Sequence, residues 1–314
     1  MKEAWFSFPS EADGLEISVL LVEPEGEARG TILMAHGFSE YKERYLPMMR
    51  RWADKGFACI INDHRGYGRS VRAEEDLGYT YELGAEGTLT DFRSTAKLLA
   101  ERYPGKKMFL YGHSMGSLCA LNYLKRYGSE LSGVILSALP AHNPAAGAGV
   151  QYLKLKQRLR GGRYRDENAE KLIFKSYASA FRDENSKYAW INSDPALVEA
   201  YAADPHCAFP GTVDGYLSLL ELMLGAYDRR NWDNVNNLLP VFIAVGACDP
   251  CAAGACDPCA AGEKGASAGE KYLKSLGFVR TEHQVYPGMR HEIHNEPRGT
   301  QVMDDMLNRL LLWL

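Results

Sequence analysis

No stretch of the chain approaches the roughly 18 consecutive apolar residues that a helix needs to cross a bilayer. The opening residues, Met1-Lys2-Glu3-Ala4-Trp5, lack the apolar segment after a basic start that marks a secretory leader. Charge of one sign is missing as well. Against 40 acidic residues stand 36 basic ones, a net charge of −4, which argues against a protein drawn to nucleic acid by electrostatics. The seven cysteines are odd in number, and without a leader they imply a reducing compartment and mostly free thiols rather than a disulfide scaffold. The expectation is a cytoplasmic protein with no membrane span. With 46% hydrophobic residues in 314, one large domain, or a domain with an insertion, can bury a core.

What is present is an alternation. Strand-like runs at Leu15–Val22, Thr31–Ala35, Phe57–Asn62, Met108–Tyr111 and Val134–Ala138 are interleaved with helix-like segments at Arg44–Lys55, Thr90–Tyr103 and Ser117–Arg126. Asp91 is expected in the first turn of the Thr90 helix, where its charge suits the helix dipole. Unbroken apolar runs such as Gly133-Val134-Ile135-Leu136 suit parallel strands covered on both faces. The pattern predicts a doubly wound α/β sheet. It lapses over residues 142–238, a charged and helical stretch, and returns with strands at 241–245 and 279–286 and helices at 264–276 and 301–314. The expected organisation is a core of 1–141 and 239–314 with 142–238 inserted as a helical lid.

Gly112-His113-Ser114-Met115-Gly116 lies where a strand gives way to a helix. This is the setting a G-x-S-x-G nucleophile elbow requires. A serine hydroxyl is a poor nucleophile at neutral pH unless a histidine takes its proton. Chain order supplies one. Asp249 follows the strand at 241–246 and His291 follows the last strand, giving the order Ser, acid, His. The expected catalytic set is Ser114, His291 and Asp249, with the backbone N–H groups of Phe38 and Met115 as oxyanion donors. His294 competes with His291 but belongs to the following turn. His283 is expected to be structural, His36 to shape the oxyanion loop, and His113 and His64 to be packed.

Residues 246–261 contain a tandem repeat: Gly246-Ala247-Cys248-Asp249-Pro250-Cys251-Ala252-Ala253 recurs as Gly254-Ala255-Cys256-Asp257-Pro258-Cys259-Ala260-Ala261. There are therefore two acids to choose from. Asp249 is preferred because it inherits a fixed position from the strand; Asp257 is the alternative. The unused copy should bulge outward, since lengthening a loop costs little entropy. The repeat also creates two C-x-x-C pairs. Structural zinc sites space their pairs farther apart, and a redox dithiol needs an electropositive helix end. Neither a metal nor a redox cofactor is expected. In the lid, Tyr216–Leu224 could line an acyl tunnel with one face, or pack wholly inside. The basic stretch Lys154–Arg160 reads as a solvated helix face, with contact to anionic lipid as the lesser reading.

Four segments carry a family resemblance: His36-Gly37-Phe38-Ser39-Glu40 with Arg44-Tyr45; Asp63-His64-Arg65-Gly66-Tyr67-Gly68-Arg69-Ser70; the elbow; and Arg290-His291-Glu292 with Asn295-Glu296. Together they resemble the monoacylglycerol lipase and lysophospholipase branch of the α/β-hydrolases, the serine aminopeptidase-like group. The resemblance implies the α/β-hydrolase fold: a mostly parallel eight-stranded sheet with helices on both faces and an inserted helical cap. It also implies no cofactor, no metal, and a small-molecule acyl ester or lipid as substrate. Contact with a membrane surface would be transient at most. Gly66-Tyr67-Gly68 departs from the group's usual Gly-His-Gly, and the duplicated acid loop departs more. The alternatives are an amidase, peptidase or acyltransferase using the same triad, or a binding protein disabled by the duplication. The sequence leaves oligomeric state open.

Overall fold

A computed structural model describes residues 1–232, 236–253 and 261–314. The apolar runs form β2 (Glu16–Glu23), β3 (Gly30–Ala35), β4 (Phe57–Asn62), β5 (Met108–His113), β6 (Leu131–Ser137), β7 (Val241–Gly246) and β8 (Thr281–Tyr286). An added first strand, β1 (Lys2–Pro9), pairs antiparallel with β2. The eight strands make one sheet in the order β1-β2-β4-β3-β5-β6-β7-β8. β2 runs antiparallel to β4, and every pairing from β4 through β8 is parallel. The strand after β3 goes to one side and β5 to the other, so the order reverses at β3. Sites in such sheets form at the carboxyl ends of the strands beside that reversal.

Period-two alternation splits the strand side chains between two cores. Ile32, Met34, Phe109, Tyr111, Ile135 and Phe242 face α1 (Leu46–Ala53) and α10 (Gly299–Trp313). Leu33, Leu110, Val134, Leu136 and Ile243 face α2 (Gly84–Arg102), α3 (Met115–Tyr127) and α9 (Ala261–Ser275). β3, β4, β5 and β7 are buried along their whole length, which explains why they read as unbroken apolar runs.

Between β6 and β7 the chain runs through α4 (Ala146–Arg160), α5 (Glu167–Ser179), α6 (Pro195–Ala203) and α7 (Val213–Tyr227), with no strand among the described residues. Three of these helices start on side-chain caps: Asp166, Asp194 and Thr212 accept from the N–H groups of Asn168, Ala196 and Gly215. The basic stretch lies on α4. Leu155 and Leu159 are exposed, while Lys154 and Lys156 pair with Glu221 and Asp166. That arrangement is a solvated, ion-paired face.

Two expectations need correction. β1 was not anticipated because it is an edge strand with no fully buried side chain, so it carries no alternating signal. The helix expected from Thr90 begins at Gly84 instead. Its start has no capping side chain, and Gly84 and Gly87 are poor helix formers. Asp91 therefore lies well inside α2, not in its first turn. It is fully buried and binds Arg65, with Nε 2.8 Å from Oδ2, while Ser10 donates to its Oδ1 at 2.5 Å. The second copy of the acid repeat, with Asp257, Cys256 and Cys259, lies almost wholly outside the described residues.

Candidate active site

β5 ends at His113 and α3 begins at Met115, so Ser114 makes the turn between them. Its backbone has φ 53° and ψ −118°, a conformation that a side chain adopts only under strain. The strain is held by Ser114 N–H donating to the Ser137 carbonyl at 2.9 Å and by Ser117 N–H donating to the Ser114 carbonyl at 2.8 Å. A Cβ at Gly112 would strike the Gly116 carbonyl, and one at Gly116 would strike the Ala35 carbonyl. Strand and helix can approach this closely because both flanking residues are glycine.

The loop after β3 runs beside this turn. A Cβ at Gly37 would lie 3.3 Å from Ser114 Cβ. His36 Nε2 accepts from the His64 N–H at 2.9 Å, which places the ring proton on Nδ1. Nδ1 then donates to the Gly37 carbonyl at 2.8 Å. Burial pushes the His36 pKa down to about 3, so this neutral tautomer persists. Because the peptide is planar and trans, fixing the Gly37 carbonyl aims the Phe38 N–H in the opposite direction. Neither that N–H nor the Met115 N–H has a protein acceptor among the described residues.

Asp249 lies between β7 and the short helix α8 (Pro250–Ala253). It is fully buried; its Oδ2 is 3.0 Å from His291 Nδ1, and its Oδ1 accepts from the Cys251 N–H at 2.9 Å. Burial alone would depress the His291 pKa, but the charge and hydrogen bond of Asp249 outweigh it and raise the value above that of free imidazole. The His291 ring packs 4.8 Å from the Trp190 ring and 5.0 Å from that of His113, the neighbour of Ser114. Ser114 and His291 line the same cavity. The other histidines are placed differently. His294 stacks on Tyr45, its ring nitrogens have no hydrogen-bond partner among the described residues, and burial lowers its pKa to about 4. His113 bonds Ser137 Oγ, His283 bonds Glu270, and the buried His64 ring packs 4.3 Å from that of His36 with no hydrogen bond to its nitrogens among the described residues.

Asp249, Cys251 and His291 bring potential metal-ligating atoms within 4.8 Å of one another. Their chemistry suits proton transfer better. Asp249 and His291 already satisfy each other, and burial pushes the Cys251 thiol well above its usual range, so it stays protonated. Cys59, Cys119 and Cys207 are likewise buried free thiols.

The cavity has a volume of about 660 Å³. Tyr216, Leu219, Leu220 and Met223 of α7 line it, with Phe38, Phe174 and Trp190. Leu217 and Leu222 of the same helix pack into the core, so α7 serves both sides. The motifs alone give no role to Glu40, Arg44 and Glu292, in which two buried carboxylates share the half-buried Arg44 guanidinium beside the site. The signal for them was their place in the short motifs around His36 and His291.

Residues 26–298 match the family model described as serine aminopeptidase, S33. The monoacylglycerol lipase of Mycolicibacterium smegmatis is 26% identical over 299 residues, 93% of this chain and 92% of that one. A thermostable carboxyl esterase from Bacillus coagulans, solved with glycerol, superposes with a TM-score of 0.88 at 26% identity, over 99% of this chain and 98% of the other. A soluble variant of the Saccharomyces cerevisiae monoglyceride lipase, solved with a substrate analog, shares the fold with a TM-score of 0.73 at 22% identity, over 98% and 94%. With the family match covering most of the chain and the fold of these neighbours in place, the chain belongs to the serine aminopeptidase (S33) family of α/β-hydrolases and is a hydrolase.

Proposed function

We propose that the chain is a serine carboxylester hydrolase that cleaves monoacylglycerol- or lysophospholipid-like esters. Ser114 Oγ attacks the ester carbonyl while His291 Nε2 takes its proton, and Asp249 holds the imidazole in the right tautomer and offsets the imidazolium charge. The Phe38 and Met115 N–H groups receive the oxyanion, each contributing about 2.7–4 kcal/mol to transition-state stabilisation. The alcohol leaves with the proton from His291. Water, activated by the same base, then releases the acid from Ser114. Residues 142–238 act as a cap whose α7 walls the acyl-binding cavity.

One observation carries the reading: the bonded Asp249–His291 pair opens on the same apolar cavity as the strained Ser114. The names of the relatives favour an ester of glycerol. The test is turnover of nitrophenyl esters and of monoacylglycerols of rising chain length, with fluorophosphonate labelling. Ser114→Ala is expected to abolish turnover and labelling; a variant that retains either refutes the assignment.

The family description also favours a second reading, cleavage of an aminoacyl amide. Such a substrate needs a free carboxylate for its α-ammonium. Glu167 and Glu170 at the cavity are paired with Lys171 and Lys187. Esters are therefore preferred, and faster turnover of aminoacyl nitroanilides than of nitrophenyl esters would reverse the order.

A further inference from the structure

The oxyanion donor and the base reach the site on different loops, one after β3 and one after β8. Each loop ends on a buried glutamate. Glu40 Oε1 accepts the Gly37 N–H and the Tyr45 hydroxyl. Glu292 directly follows His291. Arg44 spans the gap: its Nη1 is 3.0 Å from Glu40 Oε2, and its Nη1 and Nη2 are 2.5 and 2.6 Å from the two oxygens of Glu292. The guanidinium lies 5.1 Å over the ring of Tyr201 on α6, whose hydroxyl donates to the Ser39 carbonyl at 2.9 Å.

We propose that Arg44 is a positioning residue that registers the Phe38 N–H against the His291 imidazole. The inference rests on the serine hydrolase reading above. Its ground is geometric. The Gly37 N–H is pinned through Glu40 and the Gly37 carbonyl through His36, so the Phe38 N–H has one direction. The same Arg44 that braces Glu40 grips Glu292 in a two-point fork, and Glu292 adjoins the base in sequence. A planar guanidinium can hold two carboxylates at fixed angles, whereas an ammonium supplies charge without that fork. Burial pushes the Glu40 pKa up to about 7, while Arg44 outweighs burial at Glu292 and holds it below its ordinary value.

The experiment compares the parent, Ser114→Ala, Arg44→Lys and Glu292→Gln. Competent sites are counted by fluorophosphonate stoichiometry, and folding is followed by circular dichroism and melting. If Ser114→Ala keeps its turnover, the hydrolase reading falls and this inference with it. If it does not, Arg44→Lys is expected to lose roughly 10- to 100-fold in kcat per titrated site, with KM changed less than about twofold, because misplacement by about an ångström costs that much. Glu292→Gln, which keeps the side chain's volume, is expected to show the same split and carries the test if Arg44→Lys does not fold. Fewer titratable sites with the parental kcat at each would mean a role in stability alone and would overturn the proposal.

Discussion

Replacing Asp249 by asparagine changes no volume, yet it asks one side chain to do what its chemistry forbids. Both Asp249 oxygens accept: Oδ1 from the Cys251 N–H at 2.9 Å and Oδ2 from His291 Nδ1 at 3.0 Å. An asparagine has one acceptor oxygen. The Cys251 N–H can only donate, so the amide oxygen turns to it and the NH₂ faces His291. Nδ1 must then accept, and the ring proton moves to Nε2, the atom that should receive the serine proton. The wrong tautomer is expected to lower kcat by about 10⁴-fold, or about 5.5 kcal/mol of barrier. The melting temperature should change little, since both hydrogen bonds survive with roles exchanged. The assay is steady-state hydrolysis of a nitrophenyl ester, with the rate of fluorophosphonate labelling as a second readout. Asp257→Asn, made in parallel, should turn over at the parental rate. A loss of less than about tenfold for Asp249→Asn, or a comparable loss for Asp257→Asn, would refute the assignment of the acid.

Three further outcomes are expected. In the proposed mechanism the neutral imidazole is the active form, and Asp249 raises the His291 pKa above its ordinary 6.5; kcat/KM should therefore fall with acid from a limb above that value, and the limb should move down in residual Asp249→Asn activity. A limb below 6.5 in the parent would contradict this. Asp91→Ala leaves the fully buried Arg65 guanidinium only Ser10 Oγ at 2.9 Å and the longer contacts to Asp13 at 3.4–3.5 Å, and should lower stability to urea by about 3 kcal/mol, against less than about 1 kcal/mol if the pair is dispensable. Met223→Trp places an indole in the cavity of about 660 Å³ and should shift preference toward shorter acyl chains; an unchanged chain-length series would place the acyl group elsewhere.

The sequence carried the sheet well because burial on both faces leaves unbroken apolar runs, and β3, β4, β5 and β7 are such strands. It carried the elbow because the close approach of strand to helix demands glycine at 112 and 116. β1 was missed because its side chains face solvent or are half-buried, and composition there resembles any surface segment. The true start of α2 was missed for the opposite reason: its glycines serve tertiary contacts, Gly87 making room for the Arg65 guanidinium, so local propensity pointed the wrong way. Arg44 and Glu292 are separated by 248 residues, and nothing in a charged residue's own neighbourhood says that its partner is buried with it.

The choice between Asp249 and Asp257 shows where such reading stops and what takes over. Two identical octapeptides have identical local preferences, so nothing within the repeat ranks one aspartate above the other. The sheet does. β7 is hydrogen-bonded to β8 as far as Gly246↔Tyr286, and the first copy continues from there. Ala247 N–H donates to the Tyr286 carbonyl at 2.9 Å, and the backbone N–H of residue 248 donates to the Met289 carbonyl at 2.9 Å. Asp249 N–H then donates back to the Gly246 carbonyl at 3.1 Å. The first copy is thus sewn to the very loop that carries His291, one hydrogen bond after another. A duplication inserted after this point adds residues before α9 and leaves the Asp249–His291 bond at an ordinary 3.0 Å, which supports the proposal that Asp249 is the acid.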